Sequence, residues 1–233
     1  MHITKLIIMS KKQKYIVLFT LFIVPLLFYI FLQLGTHNFG KLPIVTKEVL
    51  DISLINKKTT FKDKVSVVTF IGNDIAIADA ELFNLNEKVY KKFYGYTDFQ
   101  MVSLVTKELE SEIVKLQEKL SVNTNLIKWI FVFASEEELE AIHESFKTTG
   151  SLDKNTHISE AYIIDKENNL RRGKSTIKGL TDKKLFGYNM KSVAELKNDM
   201  HDDVKVVLAE YSFALKKNRS EDRRKMIISN DKK

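Results

Sequence analysis

The sequence predicts one α/β domain behind a single transmembrane helix, and three observations carry that reading. An uncharged apolar run lies near the N-terminus, β-branched runs alternate with stripes of helical period further on, and glycine (8) and proline (2) are scarce in a chain that is 44% hydrophobic. The last point sets it apart from disordered and fibrous chains. Removing an anchor of some forty residues from 233 leaves enough for one ordinary domain with a real core.

Tyr15 to Leu34 reads YIVLFTLFIVPLLFYIFLQL. At ~1.5 Å per residue it spans ~30 Å, the hydrocarbon thickness of a bilayer. Lys11, Lys12 and Lys14 precede it and the following segment is neutral until Lys41, so the positive-inside rule places residues 1–14 in the cytoplasm and the domain on the extracytoplasmic side. The run is longer than a cleavable signal core and bulky to Leu34, which argues for an uncleaved helix, and Pro25 is tolerated inside one. The expected division is a cytoplasmic N-terminus (1–14), a membrane anchor (15–34), a linker (35–47), a domain (48–217) and a charged tail (218–233).

Val49 to Leu54 and Thr59 to Phe61 flank Asn56-Lys57-Lys58 and read as a short N-terminal β-hairpin. Val65 to Ile71 (VSVVTFI) is a β-branched run suited to a central strand covered on both faces. From Ala80 to Phe93, Leu82, Leu85, Val89 and Phe93 recur at helical spacing, and Phe99 to Val105 follows as a strand. The pattern repeats as helix Glu110 to Leu120, strand Lys128 to Phe133, and helix Glu136 to Phe146 capped by Ser135. Ala161 to Asp165 and Leu170 to Lys174 form a second hairpin across Lys166-Glu167-Asn168-Asn169. A terminal helix, Ser192 to Lys217, opens on a Ser192/Glu195 capping box and carries Val193, Leu196, Met200, Val204, Val207, Leu208 and Tyr211 on one stripe. This order is that of a thioredoxin-like fold with an N-terminal addition.

Three stretches make the likeness more specific. Lys64 to Phe70 resembles the first core strand of the SCO/SenC family of membrane-anchored copper chaperones and thiol oxidoreductases of cytochrome oxidase assembly. Trp129, Phe131 and Phe133 followed by Ala134-Ser135-Glu136-Glu137 are similar to that family's tryptophan-bearing strand and the acidic helix start behind it. His157-Ile158-Ser159-Glu160-Ala161-Tyr162-Ile163-Ile164-Asp165, with Leu170-Arg171, resembles its histidine-bearing stretch. The resemblance covers roughly residues 42 to 212 and includes the single anchor.

It implies a copper site made of two cysteines and a histidine, and the chain contains no cysteine at all. The loop in question is Gly72 to Asp79, with Asp74 and Ala78 at the cysteine positions, or Ile75 and Asp79 if the register shifts by one. Thiol exchange is impossible in either register, and Cu(I), which favours soft sulfur ligands, loses its main ligands. His157 remains. With Asp74 or Asp79 it would suit an N/O-preferring divalent ion such as Cu(II) or Zn(II); the competing reading is a loop histidine left on a degenerate scaffold. His143 and His201 are expected on solvated helix faces, with Asp202-Asp203 and Glu136-Glu137-Glu138 as surface acids, while Met101 and Met200 fall on core stripes and His37 at headgroup level.

The net charge of +7 divides into +4 over residues 1–40, +5 over residues 216–233 and −2 between them, so no basic groove for nucleic acid is indicated. Nucleophile elbows, glycine-rich phosphate loops and H-E-x-x-H are absent. The expectation is a non-enzyme without a cofactor: a membrane-tethered binding or assembly factor for an envelope protein, such as a respiratory-complex component, touching the bilayer through residues 15–34. The alternative is divalent copper or zinc handling through His157 and the Asp74 to Asp79 loop.

Overall fold

The computed structural model describes residues 10–34 and 41–212. The expected tail, His37, the start of the linker and the end of the terminal helix at Lys217 lie outside them. Helix α1 (Lys11–Leu34) belongs to one compact unit and the described residues 41–212 to another. The stretch Lys11–Phe31 of α1 is long and apolar enough to cross a membrane, and its Tyr15, Phe19, Phe22 and Phe31 side chains are exposed.

The second unit is built on a seven-stranded mixed sheet. Strands β1 (Ile44–Thr46), β2 (Val65–Gly72), β3 (Phe99–Thr106), β4 (Trp129–Ala134), β5 (Ile158–Ile164) and β6 (Leu170–Arg171) lie in the order β1-β6-β5-β2-β3-β4, and β7 (Tyr188–Asn189) also pairs with β5. Strands β2, β3 and β4 are parallel, while β5 runs antiparallel to β2 and β6. The parallel steps need crossover helices: α2 (Ile75–Leu85) continues through a π turn at Asn86–Tyr90 into α3 (Lys91–Phe93), and α4 (Glu110–Ser121) leads to β4. Helix α5 (Glu136–Ser145) follows β4, and α6 (Val193–Glu195), a π turn at Leu196–Met200 and a helix over 201–212 close the chain. A βαβ unit followed by an antiparallel hairpin and a terminal helix on one mixed sheet is the thioredoxin-like arrangement.

Every residue of β2 and β3 is buried because both faces of the sheet are covered. Val65, Val67, Ile71, Met101 and Val105 pack beneath Leu82, Leu85, Leu116, Met200 and Val204. Val68, Phe70, Val102 and Leu104 face Leu139 and Ile142 of α5 and Phe146 at its C-cap, together with Ile52 and Phe61. Met101 and Met200 are core residues, as their stripes indicate. Ser135 caps α5 in a complete capping box: its Oγ accepts from Glu138 N at 3.3 Å, and Glu138 Oε2 accepts from Ser135 N at 2.8 Å.

The N-terminal β-hairpin is not formed. Ile52–Leu54 is a single 3-10 turn, because the Asp51 carboxylate accepts from Ser53 N (2.7 Å), Thr60 Oγ1 (2.8 Å), Phe61 N (3.0 Å) and Asn168 Nδ2 (3.1 Å). An aspartate that captures backbone N–H groups in this way competes with a strand ladder. Burial raises the Asp51 pKa, and these donors more than reverse the effect and hold it low. The strand added at this end is β1, whose residues Ile44 to Thr46 fall in the expected linker and pair with β6.

The terminal helix departs from its expected start in one respect. Ser192 Oγ accepts from Glu195 N at 3.2 Å, but the Glu195 carboxylate turns to Arg172 Nη2 at 2.9 Å, so the capping box is half made. Arg172, 1% exposed in its side chain, also approaches Asp199 Oδ2 (3.8 Å) and Asp203 Oδ2 (3.6 Å), and its guanidinium lies 3.8 Å from the Tyr188 ring centroid. Asp203 was expected on the surface; it instead accepts from Tyr188 Oη at 2.5 Å and Gly173 N at 2.9 Å.

Candidate functional site

The candidate loop begins where β2 ends. Gly72 has φ +57°, a left-handed conformation that glycine adopts without strain, and a Cβ there would stand 2.0 Å from the Asn155 carbonyl oxygen. Asn73 N donates to that same oxygen at 2.7 Å, so the end of β2 is fastened to residues 153–157. Gly72→Ala therefore combines a left-handed alanine with a backbone clash and is expected to cost about 2–3 kcal/mol in urea unfolding.

Only the first part of Gly72 to Asp79 is loop. Helix α2 starts at Ile75, because Asp74 Oδ1 accepts from Ile77 N at 3.2 Å as its N-cap. Ala78 is buried under the sheet. Asp79 lies on the outer side of α2 and pairs with Lys119 Nζ at 2.8 Å.

Across from α2, Asp153 builds a turn that presents His157. Its Oδ1 accepts from Asn155 N (2.8 Å) and His157 N (3.0 Å), while Asp153 N donates to His157 O at 2.9 Å. Asn155 Nδ2 also reaches Asp74 Oδ2 at 3.4 Å. The structure thus brings Asp74 and His157 to one neighbourhood and gives Asp79 a different partner.

His157 is only 4% exposed, and the residue it faces is Glu81, three positions after Ala78 on α2. His157 Nε2 lies 3.3 Å from Glu81 Oε2 and 3.3 Å from Ser159 Oγ, and Lys191 Nζ approaches Glu81 Oε1 at 3.5 Å. The contact is an ion pair rather than an aligned hydrogen bond: both Glu81 oxygens and His157 Nδ1 are buried without an aligned hydrogen-bond partner. Burial alone would raise the Glu81 pKa and lower that of His157. Their mutual interaction, helped by Lys191 on one side and by Asp153 and Asp74 on the other, moves Glu81 down and His157 up, which favours the charged form of each.

Glu81 escaped the sequence reading, although it had a signal: a carboxylate on the helix face that Ala78, Leu82 and Leu85 carry into the core. Among the described residues, no group of three or more His, Cys, Asp or Glu side chains is gathered as a ligand set. With no thiolate in the chain, the residues present do not fit the Cys-Cys-His copper site that the resemblance implies.

The other histidines depart from a plain solvated face. His201 Nδ1 lies 3.1 Å from Asp202 Oδ1 at the surface, although neighbours on a helix ordinarily point apart, and its ring leans on Phe93 at 5.1 Å. His143 is buried at 5% exposure between Phe70 and Phe146, which pushes its pKa down to about 4.

No family model and no curated protein matches the chain. Solved structures do resemble it. A SCO1/SenC family lipoprotein from Bacillus anthracis superposes with a TM-score of 0.46 at 16% identity over 72% of this chain and 98% of that one. A thiol:disulfide interchange protein of the thioredoxin family from Chlorobium tepidum gives 0.42 at 14% over 72% and 99%. Bradyrhizobium japonicum ScoI with copper bound gives 0.38 at 11% over 64% and 90%. The fold assignment rests on the strand order and helix placement described above, not on these likenesses.

Proposed function

We propose that this chain is a membrane-tethered, thioredoxin-fold binding or assembly factor that works without thiol chemistry, holding its domain on the extracytoplasmic side for a partner in the cell envelope such as a respiratory-complex component. One observation carries the reading. At the β2–α2 junction, where the resemblance implies two thiols, in one register Asp74 is spent as a helix cap and Ala78 is buried, in the other Asp79 is paired with Lys119, and the ground behind them is closed by the Glu81–His157 ion pair while the surrounding core is intact. A domain that keeps its packing and lacks a thiol is suited to contact rather than to disulfide exchange.

Affinity purification from detergent-solubilised membranes tests it, with a control in which residues 1–40 carry an unrelated domain. One stoichiometric partner retained by this domain and not by the control is expected. Recovery of the bait alone overturns the reading.

A second reading is favoured by the unpartnered atoms of the same pair. Glu81 and His157 offer two N/O donors for a divalent ion such as Cu(II) or Zn(II), and a third would come from Asp74 only by leaving its helix cap or from Asp79 only by leaving Lys119. Titration of the full chain with Cu(II) and Zn(II) should then show one site that disappears in His157→Ala. Binding that survives the substitution rejects it.

A further inference from the structure

On the opposite face of the sheet, the C-terminal end of α5 and residues 147–152 line an open pocket of about 420 Å³, within the size range of small-molecule sites. His143 lines it, backed by a hydrogen-bonded chain. Tyr162 Oη donates to Glu160 Oε2 at 2.9 Å and therefore accepts from His143 Nε2 at 3.4 Å. That assignment places the ring proton on Nε2 and leaves Nδ1 as an acceptor, and among the described residues no protein donor bonds it. With its pKa lowered by burial to about 4, the ring is neutral at physiological pH and stays an acceptor.

The charge around the cavity has one sign in excess. Helix α5 carries five glutamates and no lysine or arginine over its ten residues, and Glu140 and Glu144 stand on the cavity rim against the single Lys147. The carbonyl end of the α5 dipole adds negative potential at the same place. Leu152 supplies an apolar wall, and Thr148, whose Oγ1 donates to Gly150 O at 3.0 Å, presents a further oxygen.

The geometry points to a binding site for a small organic ammonium group in this cavity: its N–H donors on His143 Nδ1 and the Glu140 and Glu144 carboxylates, its alkyl portion along Leu152. This site lies apart from the Glu81–His157 pair and does not depend on the assembly role proposed above.

The test uses the full chain in nanodiscs titrated with n-butylammonium, n-butanol and butyrate, read by calorimetry and by the NMR signals of the His143 ring nitrogens. Saturable binding of n-butylammonium is expected, with a shift at His143 Nδ1 and no matching response to butanol or butyrate. The double change Glu140→Gln, Glu144→Gln should weaken it about fivefold, as two exposed carboxylates contribute modestly. His143→Phe keeps the ring contacts with Phe70 and Phe146 and should abolish it. Tighter binding of N-acetyl-lysine N-methylamide than of n-butylammonium would assign the ammonium to a protein side chain rather than to a free amine, with the chemistry unchanged. Absence of saturable n-butylammonium binding, equal binding of butanol, or unaltered binding by a folded His143→Phe variant overturns the inference.

Discussion

Arg172→Met should destabilise the domain by about 3–5 kcal/mol near neutral pH, the range expected when one partner of a buried ion pair is removed and the other stays charged. The size follows from what Arg172 holds. Its Nη2 binds Glu195 at 2.9 Å, its Nε donates to Gly187 O at 2.9 Å, and Asp199 and Asp203 lie within 4 Å. Three carboxylates thus share one cation in a side-chain environment at most 13% exposed.

The pH dependence identifies the mechanism. Burial raises the pKa values of Glu195 and Asp203 even with the arginine present. A carboxylate whose folded-state pKa lies above its unfolded value opposes folding at neutral pH, and that opposition fades as pH falls through the folded value. Without the guanidinium both values must rise further. The deficit of Arg172→Met is therefore expected to be largest at pH 7–8 and to shrink toward pH 5, as the orphaned carboxyls take up protons. Urea unfolding of residues 40–233 measures it. A deficit constant over that range would mean that lost packing against the Tyr188 ring, 3.8 Å away, dominates instead.

This cluster also shows where the sequence stops being legible. Strand β2, the hairpin of β5 and β6, and the Ser135 cap could be read because each is set by neighbours in the chain: a β-branched run, a four-residue turn, a serine three residues before a glutamate. Arg172 meets Glu195, Asp199 and Asp203 only after a long connection folds back onto the terminal helix. Their spacing of four residues did mark one helix face, yet a stripe of acids reads equally well as a solvated surface. The segment around Asp51 failed for a related reason. The hairpin pattern counts apolar residues, whereas the outcome is decided by one carboxylate whose donors include Asn168, far along the chain.

The candidate site divides in the same way. His157 and Asp74 come from the resemblance, one as the family's histidine and the other, in one register, at a cysteine position. Glu81, the partner that fixes the electrostatics, sits on a helix whose expected start was five residues too late, at Ala80 rather than Ile75. A helix begun at Asp74 would have put Glu81 on the buried stripe with Ala78 and Leu85.

That partnership carries the second large effect. His157→Ala should cost about 3 kcal/mol, the lower end of the range for an orphaned buried charge, because Lys191 already stands 3.5 Å from Glu81 Oε1 and is free enough, at 57% exposure, to close in. Replacing the whole pair by apolar groups, Glu81→Leu with His157→Phe, should recover most of the loss, since the desolvation cost of both charges disappears together. The two proteins should also differ in pH response. Glu81 is held below its ordinary 4.5, so its contribution is present above pH 4.5 and is lost as pH falls through the lower folded value. His157 is held above its ordinary 6.5, so its contribution is complete below pH 6.5 and is lost as pH rises through the higher folded value. The pair is therefore worth most between pH 4.5 and 6.5. Between pH 6 and pH 9 the wild-type domain should lose stability that the Glu81→Leu, His157→Phe protein does not lose. Parallel pH profiles for the two would show that the ion pair contributes nothing. Burial without aligned hydrogen bonds would then be a net cost, and only a bound ligand or a partner would give the fold a reason to keep two charges beneath α2.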